Sequence, residues 1–375
     1  MVKIMSYKIM YCSNIFKNNT KKKLIKNINK LHIKLKINNK KEKINIGLCI
    51  SNKISNEIKK NIIEIKQNFK KKFINIISIN GFVYKSFHLK NIKDKIYWPD
   101  WTSKKRTNFT KNLIEITKQL KNKKDFGSIS TMPISYKYWI KKKKQTYIFY
   151  KSSKNLITLT KYLKKIILSI EPEPCCLIET SSEFIKYINK WLEPLFKRNN
   201  KKKNIKKYIG LCYDICHFSV KFEKHKKILK KIREENITIG KLQISSAIKI
   251  KNKKINKKKI NFLIKSPFLH QTTYKYKNRI KTYKDIKYAI KNVIKHKHLE
   301  WRIHCHIPIY FNKYKSFLTT NNEIIKVLNE IKKNKFTKHM EIETYTYRNL
   351  KIKYDIFNSI LKEYKWLKKI IKNVK

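Results

Sequence analysis

Glycine, alanine and arginine are scarce in this chain. It holds five glycines, two alanines and six arginines, so that 87 of the 93 Lys plus Arg residues are lysine. No GxGxxG motif follows any apolar run, and five scattered glycines could hardly supply one. This shortage disfavours a dinucleotide-binding fold.

Acidic residues are also few, at 24 against 93 basic residues, and the formal net charge is +69. Such a balance usually indicates a nucleic-acid partner. A surface selected for phosphate and guanine would favour arginine, whose planar fork pairs bidentately with both, whereas these lysines are spread along the whole chain. Because the abundant Lys, Asn, Ile, Phe and Tyr share A/T-rich codons, we attribute the charge to an AT-rich genome. A dedicated nucleic-acid function is not expected, and polyanion binding as a side effect stays open.

Long apolar runs and a cysteine framework are missing too. No uninterrupted apolar run approaches the roughly 18 residues of a membrane span, and the first residues lack a signal-peptide pattern. The seven cysteines form no CxxC pair and lie mostly in apolar runs, where cysteine behaves as a small hydrophobe. We expect a cytoplasmic protein with reduced thiols and no transmembrane segment.

The chain does contain nine short apolar runs that are rich in isoleucine and aromatic residues. Their composition predicts strands, and all five glycines lie beside such runs, which suggests a backbone requirement at each. The runs are YKIMYCSNI, INIGLCIS, IISINGFVY, FGSISTMP, KKIILSIEPEP, YIGLCYDICH, ITIGKLQISS, EWRIHCHIPIYF and KHMEIETYTY. Lysine-rich segments with helical spacing separate them.

Two of these segments carry clear helix signals. In 180–196 the apolar residues recur at helical spacing, and Thr180 with Glu183 fits a capping box, in which each side chain binds a backbone amide of the first turn. The segment 353–373 is amphipathic and basic. We expect it to pack on the protein, and membrane-surface binding is the alternative.

The alternation of strand and helix predicts a parallel sheet covered by helices. At this length a single (β/α)₈ TIM barrel over residues 1–375 is the economical solution, and an open doubly wound sheet is the alternative. Residues of about 250–300 do not fit the repeat. We interpret them as an insertion before the last strand, in which the run KIKNKKINKKKINF forms an exposed loop.

A chain so short of acids places two carboxylates in the run IEPEP, at residues 171 and 173. In a barrel the chemistry is expected where strands end. The four late runs end on oxygen-bearing side chains, namely Glu171, Asp214, Gln243 and Glu343. If they converge at one mouth they would suit a divalent cation, and three carboxylates there would repel one another without one.

Histidines follow the same strand ends. His217 lies three residues after Asp214, and in an extended strand Arg302, His304 and His306 share one face. An HxH pair can bind zinc, but we favour substrate contact for these residues over a second metal. Glu173 is expected to brace a lysine or arginine.

Four of these pieces, SIEPEP, CYDICH, KLQISS and EIETYT, resemble the metal-binding strand ends of xylose isomerase-like TIM barrels. That superfamily includes sugar-phosphate isomerases and epimerases, hydroxypyruvate isomerases and endonuclease IV. A wider set of motifs, including INGFVYKSFH, YWPDW, GSISTMP, CYDICHFSVKFE and WRIHCHIP, resembles the EboE family of metabolite traffic proteins. This likeness extends from about residue 6 to 367, and the EboE family belongs to an operon for a small-molecule pathway.

The resemblance implies that Glu171, Asp214, Gln243 and Glu343 bind one divalent cation, Mg²⁺, Mn²⁺ or Zn²⁺. It also implies that Glu171 and Glu343 transfer a proton on opposite faces of a sugar-like or cyclitol-like metabolite. His217, His304, His306 and Arg302 would then contact the substrate. Other proteins of the operon would be partners.

Two alternatives stay open. One is a non-catalytic barrel that binds a metabolite of the same pathway. The other is an endonuclease IV-like phosphodiesterase, which needs a trinuclear zinc site with histidines on early strands. His88 could serve there, but the fourth strand offers no histidine and Gln243 stands where that class has one.

Overall fold

The computed structural model describes residues 7–36, 43–86, 88, 92–198, 203–251, 257–292, 300–347 and 355–374. Its strands are β1 (Lys8–Tyr11), β2 (Ile44–Cys49), β3 (Ile74–Asn80), β4 (Gly127–Thr131), β5 (Ile166–Ile170), β6 (Ile209–Asp214), β7 (Ile239–Ile244), β8 (Ser246–Lys251), β9 (Thr272–Tyr276), β10 (Arg279–Tyr283), β11 (Glu300–Ile307), β12 (Lys313–Tyr314), β13 (Phe317–Thr319) and β14 (His339–Ile342). Its α-helices are α1 (Lys21–Lys36), α2 (Asn52–Lys60), α3 (Ile62–Lys71), α4 (Lys104–Leu120), α5 (Gln145–Ile157), α6 (Ser181–Tyr187), α7 (Glu193–Lys197), α8 (Ile215–Val220), α9 (His225–Glu234), α10 (Lys257–Ile264), α11 (Ile286–Asn292), α12 (Asn321–Asn334) and α13 (Ile356–Asn373).

In the described part of the chain, eight strands form one parallel sheet in the order β1-β14-β7-β6-β5-β4-β3-β2. The two end strands meet at a parallel bridge between Cys12 and Gly47, which nearly closes the sheet into a barrel. The interior and the ring of helices share one apolar core, because these strands are buried on both faces. The predicted barrel is confirmed, and eight of the nine predicted runs supply its strands.

The ninth run, which contains β11, belongs to a second sheet. This sheet has the order β10-β9-β11-β8-β13-β12, its paired strands are antiparallel, and its strands span residues 246–319, between β7 and β14. The insertion before the last barrel strand is therefore confirmed, and its strands extend beyond the predicted 250–300. Trp301, Ile303 and Cys305 of β11 pack in a separate apolar cluster with α10 and α11.

Part of the predicted loop in this insertion is helical. Residues 252–256 lie outside the described residues, but α10 begins at Lys257. Ile260 and Leu263, one helical turn apart, are buried in the cluster of the second sheet. The exposed-loop interpretation is wrong for these residues, because two apolar side chains at helical spacing outweigh the surrounding lysines.

Both predicted helices are present. The hydroxyl of Thr180 accepts a hydrogen bond from the Glu183 amide, and the Glu183 carboxylate accepts from the Thr180 amide, which completes the capping box of α6. A π-helical turn, Ile188–Leu192, connects α6 to α7. At the other end of the chain, α13 buries Ile360 and Leu367 against the barrel, so the expectation of packing on the protein is confirmed for 356–373.

α13 also carries a fully buried carboxylate, Glu363. It accepts hydrogen bonds from the hydroxyls of Tyr11, Thr344 and Tyr347 and from the amide of Ile309, at 2.5–2.9 Å. Tyr11 ends the first barrel strand, while Thr344 and Tyr347 follow the last one. This single side chain therefore ties the two ends of the barrel sequence together.

The glycines satisfy a requirement for space. None of the five has a positive φ angle. At Gly47 a Cβ atom would lie 2.3 Å from the Oε2 atom of Glu341, so any larger residue would have to displace that carboxylate. The glycines lie where the sequence predicted a backbone requirement. The requirement is space for a neighbouring group beside the backbone, and not a left-handed conformation.

The cysteine prediction also agrees with the structure. All seven cysteines are free, and six of them are buried. Among the described helices, none combines the length and the apolarity that a membrane crossing requires.

Candidate metal centre

The four predicted ligands all lie at the carboxyl-terminal mouth of the barrel. Glu171 directly follows β5, Asp214 ends β6, Gln243 is the second-last residue of β7 and Glu343 directly follows β14. These strands are neighbours in the sheet, and Asp214 pairs in register with Gln243. All four side chains are buried. The parallel sheet therefore brings together residues that are up to 172 positions apart (343 − 171).

The three carboxylates form one cluster. Glu171, Asp214 and Glu343 each offer an oxygen, and these oxygens lie within 4.8 Å of one another. In the described chain, the groups within 4.0 Å that could carry a positive charge for them are histidines, without a lysine or arginine. In a chain with 93 basic residues, three acids without a lysine partner form an unusual group.

Glu343 is held by amide groups. Its Oε1 atom accepts hydrogen bonds from the side chains of Asn14 at 2.7 Å and Asn80 at 2.9 Å. Its Oε2 atom accepts from the amide nitrogen of Gln243. Asn14 follows β1 and Asn80 ends β3, so both reach the same mouth. Sequence reasoning gave these asparagines no role, although their place at strand ends was a usable signal.

Glu171 and Asp214 each keep one oxygen without a hydrogen-bond partner, Oε2 and Oδ2 respectively, and both atoms are buried. The other Asp214 oxygen, Oδ1, accepts from the amide of His217 at 2.9 Å and from the hydroxyl of Ser245 at 2.8 Å. A buried carboxylate oxygen without a partner is costly. Two of them aimed at one cluster favour a cation between them.

The pKa shifts of the clustered carboxylates also favour a bound cation. Burial raises the pKa of Glu171, and the charge of Asp214 raises it further, although His217 opposes both effects. Burial also raises the pKa of Glu343 well above its ordinary value, with Glu171 and Asp214 adding to the shift. A divalent cation would reverse this tendency, because positive charge favours the ionised carboxylate.

Gln243 lies at the cluster with a particular orientation. Its amide nitrogen faces Glu343, and its Oε1 atom accepts from the thiol of Cys212. A glutamine binds a metal through its oxygen. As a ligand Gln243 would therefore turn its amide over, and in the present orientation it positions Glu343.

Three predicted substrate contacts lie beside the carboxylates. His217 is in α8, whose first turn is capped by Asp214, and His304 and His306 lie on the face of β11 opposite its apolar cluster. The rings of His304 and His306 have their centroids 4.6 Å and 5.4 Å from that of His217. The predicted separation of the two faces of β11 is thus confirmed, and the second sheet places two histidines over the barrel mouth.

Arg302, on the same face of β11, is bound elsewhere. Its guanidinium donates to Glu300 at 2.8 Å and to the backbone oxygen of Ser219 at 2.6 Å, and it stacks on Phe222. The structure does not bring Arg302 to the residues that line the cavity at the mouth. Its predicted substrate contact is left without geometric support.

Glu173 and His88 complete the predicted set. Glu173, expected to brace a lysine or arginine, instead accepts from the hydroxyl of Tyr97 at 2.7 Å and from the amide of Gln271 at 3.1 Å. The Nε2 atom of His88 lies 2.7 Å from the backbone oxygen of Asn14, at the edge of the mouth.

The cavity at the mouth is small. It has a volume of about 40 Å³ and is lined by Asn14, Cys49, Asn80, Phe82, Val83, Ile96, Glu171, Glu173, His217, His304, His306, Glu343 and Tyr345. A second small cavity is lined in part by the same Asn14, Cys49 and Val83, and other residues of its lining also line a surface cleft of about 600 Å³. The cleft lies between the loops that follow β1, β2 and β3, so a ligand larger than an ion with water would extend into it.

No family model matches this chain, and no curated protein matches it. Many solved structures match this chain, among them two that match over almost its whole length. The IolI protein with a bound zinc atom is 13% identical, with a TM-score of 0.52, and the match covers 98% of this chain and 99% of that one. A xylose isomerase-like TIM barrel protein from Mycobacterium smegmatis in complex with magnesium is 8% identical, with a TM-score of 0.55, over 100% and 99%. The chain therefore has the xylose isomerase-like TIM-barrel fold, with a six-stranded antiparallel insertion before its last barrel strand.

Proposed function

We propose that this protein is a divalent-metal-dependent isomerase or epimerase of a sugar-like or cyclitol-like small molecule. The observation that carries the proposal is the cluster of Glu171, Asp214 and Glu343, whose oxygens lie within 4.8 Å of one another. The described chain supplies no lysine or arginine within 4.0 Å of them. The solved structures with this fold that hold zinc or magnesium support the choice of a divalent cation.

The residues at the mouth fit such an ion. Glu171 Oε2 and Asp214 Oδ2 are buried acceptors without hydrogen-bond partners, and Glu343 lies beside them. Oxygen donors of this kind suit Mg²⁺ or Mn²⁺, and Gln243 would join them after its amide turns over. A bound divalent cation would polarise a substrate carbonyl and stabilise the negative charge that develops on it.

The two glutamates differ in what they can do with a proton. Both oxygens of Glu343 accept amide hydrogens from Asn14, Asn80 and Gln243, which fixes its orientation, although burial raises its pKa well above the ordinary value. Glu171 has an oxygen without a partner and a pKa raised by burial. Glu171 is therefore suited to take a proton from a carbon next to a carbonyl and to return it, with Glu343 acting on the opposite face.

The small cavity limits what reaches these carboxylates. Its volume of about 40 Å³ holds the reacting atoms, and the rest of the substrate would lie toward the cleft of about 600 Å³. His217, His304 and His306 line the cavity and stay predicted substrate contacts. Lys17, Lys53 and Lys85 line the cleft, but lysine is so common in this chain that they do not define a substrate charge.

The pathway assignment rests on motifs. The likeness to EboE from about residue 6 to 367 supports a role in metabolite traffic or biosynthesis, with other proteins of the same operon as partners. INGFVYKSFH contains Asn80, which binds Glu343, and WRIHCHIP contains two of the clustered histidines. Motifs of that resemblance therefore include residues of the metal centre, which supports a shared site chemistry.

Proton exchange tests the reaction without knowledge of the natural substrate. The full chain, loaded with Mn²⁺, is incubated in D₂O with a panel of ketoses, aldoses, their phosphates and keto-cyclitols, and deuterium at the carbon next to the carbonyl is followed by NMR. We expect exchange with at least one compound in the wild type and its loss in Glu171→Gln and Glu343→Gln. His339→Gln, a change at a buried histidine at the start of β14, is the matched control and should keep the activity.

The same panel separates the alternatives. Saturable binding of a compound without any exchange would favour the non-catalytic metabolite-binding barrel and contradict the isomerase. Cleavage of abasic DNA by the Zn²⁺-loaded protein, lost in Glu171→Gln, would favour the phosphodiesterase.

A further inference from the structure

Exposed aromatic side chains cluster after the fourth barrel strand. Among the described residues, eight aromatic rings are exposed, and four of them lie between residues 138 and 150. They are Tyr138 at 51%, Trp139 at 38%, Tyr147 at 59% and Tyr150 at 40% exposed. A chain with 22 tyrosines and 18 phenylalanines leaves few rings in water, so their concentration on one loop and the helix after it marks a surface with a partner.

A fifth exposed ring, Tyr288 of α11, is joined to this group by a lysine. The Nζ atom of Lys284 lies 5.5 Å from the ring centroid of Tyr138 and 4.5 Å from that of Tyr288. An ammonium group at these distances is attracted to both ring faces. Tyr138 follows a barrel strand, whereas Tyr288 belongs to the insertion, so the exposed surface spans both parts of the fold.

Four consecutive lysines, at positions 141–144, lie between the first and the second pair of rings. They are exposed, and in the described part of the chain their ammonium groups have no carboxylate within 4.0 Å. Residues 126–170 contain ten lysines and no aspartate or glutamate. We define the aromatic–lysine patch as Tyr138, Trp139, Lys141, Lys142, Lys143, Lys144, Tyr147, Tyr150, Lys284 and Tyr288.

The loop that presents the patch is held in place. Tyr136 pairs with Cys176 through an antiparallel bridge. The Nε1 atom of Trp139 donates to Asp94 at 2.9 Å, and the indole ring lies edge-on to Tyr136 with centroids 5.5 Å apart. The exposure of Tyr138 and Trp139 is therefore a fixed feature of the fold.

The patch lies at the same end of the barrel as the mouth. Tyr136 follows the carboxyl end of β4 and stacks on Tyr97, with ring centroids 4.7 Å apart. The hydroxyl of Tyr97 donates to Glu173, which lines the cavity at the mouth. A surface that binds the patch would therefore approach the end of the molecule that carries the metal centre.

We propose that the aromatic–lysine patch binds the surface of an anionic lipid membrane. Tyrosine and tryptophan settle at the headgroup level, because their rings are apolar while their O–H and N–H groups keep contact with water. Lysines beside such rings attract anionic headgroups. This binding goes beyond the proposed isomerase activity and does not depend on it.

Two other anionic partners fit the patch less well. Single-stranded nucleic acid stacks its bases on open ring faces, but the ammonium of Lys284 lies over the rings of Tyr138 and Tyr288. The centre of a protein interface typically holds its anchors in desolvated pockets and includes arginine, whereas the patch contains lysine alone and its rings are distributed over a loop, α5 and α11. A second copy of the chain would bring like charges together.

Vesicle binding by the full-length protein tests the proposal. Sedimentation is measured with vesicles of phosphatidylcholine alone and of phosphatidylcholine with one third phosphatidylserine. Oligothymidylate and a polyglutamate peptide are titrated at the same ionic strength. Because the net charge of +69 gives every variant some affinity for anions, the variants compared lose the same number of charges at different places.

We expect binding to the phosphatidylserine vesicles and a loss of about 10–100-fold when the four lysines of the patch become glutamine, since each lysine near an anionic surface contributes about fivefold. A quadruple variant of four exposed lysines on α9 removes the same charge elsewhere and should bind nearly as the wild type does. The patch variant is Lys141→Gln, Lys142→Gln, Lys143→Gln and Lys144→Gln, and the control is Lys226→Gln, Lys227→Gln, Lys230→Gln and Lys231→Gln.

The aromatic contribution is tested separately. Tyr138→Ser with Tyr147→Ser should weaken vesicle binding several-fold, also at high salt, which screens the lysines. Phe73→Ser with Phe126→Ser removes two exposed rings just before β3 and β4, at the opposite end of the barrel, and should leave binding unchanged. Brominated phosphatidylcholine should quench the fluorescence of Trp139, measured as the difference between the wild type and Trp139→Phe.

Melting temperatures show whether each variant is folded, and Tyr138→Trp with Tyr147→Trp should keep vesicle binding. Equal losses in the two quadruple variants would overturn the proposal, because the net charge alone would then explain the binding. Unchanged binding in Tyr138→Ser with Tyr147→Ser would also overturn it. If these serine variants lost polyglutamate or oligothymidylate binding and kept vesicle binding, the patch would instead bind an acidic protein or a nucleic acid.

Discussion

The barrel interior contains two levels of buried acids, and they are neutralised differently. Toward its amino-terminal side, Glu341 of β14 forms an ion pair of 2.8 Å with Lys241 of β7, and both side chains are completely buried. At the mouth, two residues further along the same strands, Gln243 and Glu343 face each other beside the other carboxylates. Side chains two apart on a strand point the same way, so the two levels are stacked inside one barrel.

This comparison shows where a buried carboxylate is neutralised by a lysine of the chain and where the carboxylates leave space for a bound cation. At the lower level Glu341 is paired with a lysine, although its Oε2 atom has no hydrogen-bond partner. The carboxylates at the mouth also have partnerless oxygens, but among the described residues no lysine lies within 4.0 Å of them. With 93 basic residues available, lysine is not in short supply. The absence of a lysine at the mouth is consistent with an ion there, and the following changes test the contrast from the largest effect to the smallest.

Breaking the lower pair should have the largest effect. Lys241→Met leaves Glu341 buried without its cation, and we expect the free energy of unfolding to fall by about 3–5 kcal/mol. Chemical denaturation measures it. The double change Lys241→Met with Glu341→Leu removes both charges and should recover most of the loss. If the single variant is as stable as the wild type, the lower pair is not the structural element described here.

Adding a methyl group beside Glu341 should lower the free energy of unfolding by less than breaking its ion pair does. In Gly47→Ala the new Cβ would start 2.3 Å from Glu341 Oε2, so the carboxylate must move away from its present position. We expect a loss of about 1–3 kcal/mol, which is typical of overpacking a core. Denaturation of Gly127→Ala provides the comparison, because its new Cβ would lie 2.6 Å from the Cγ2 atom of Thr117 and would crowd no buried charge. A change in manganese binding without a loss of stability would contradict this separation of levels.

Removal of a carboxylate at the mouth should increase the stability of the metal-free protein, whereas the two changes at the lower level decrease it. In the chelator-treated protein, Glu171→Gln removes one of three mutually repelling acids, and we expect unfolding to become harder by about 1–2 kcal/mol. Added Mn²⁺ should raise the melting temperature of the wild type and not that of the variant. Thermal unfolding with and without Mn²⁺ measures both effects. Destabilisation of the metal-free variant would show that the mouth is a closed structural cluster like the lower level.

The smallest effect concerns acid stability. His339, at the start of β14, is buried, and burial lowers its pKa to about 4, with the charge of Lys8 adding to the shift. Because the folded state resists protonation that the unfolded state accepts at about 6.5, stability present above pH 6.5 is lost as the pH falls toward 4. Between pH 6.5 and pH 5.5 we expect His339→Gln to lose about 1 kcal/mol less than the wild type. Equal losses in both proteins would contradict it.

The regular parts of the fold were predictable because each rests on a local pattern. Most barrel strands are short runs rich in isoleucine and leucine, and the capping box of Thr180 and Glu183 fixes the start of α6. Glu171, Asp214 and Glu343 could be assigned because each ends an apolar run, and parallel strands collect such ends at one mouth.

The second sheet and the supporting side chains were harder to predict. β9 and β10, with sequences TTYKY and RIKTY, are short and mostly polar and carry no long apolar signal. Asn14, Asn80 and Gln271 act through hydrogen bonds to distant groups, which no spacing in the sequence records. The ion pair of Lys241 and Glu341 was not predicted, for the same reason. A charged residue in a sequence suggests an exposed position unless its buried partner is known.

Glu363 has a consequence for how the molecule is made. The carboxylate that binds Tyr11, Thr344, Tyr347 and the amide of Ile309 lies in α13, 352 residues after Tyr11 along the chain. During synthesis Tyr11 of the first strand cannot form its hydrogen bond to Glu363 until α13 has left the ribosome. A nascent chain that stops short of α13 would therefore carry every residue of the metal centre and still lack the side chain that fastens the start of the barrel to its end.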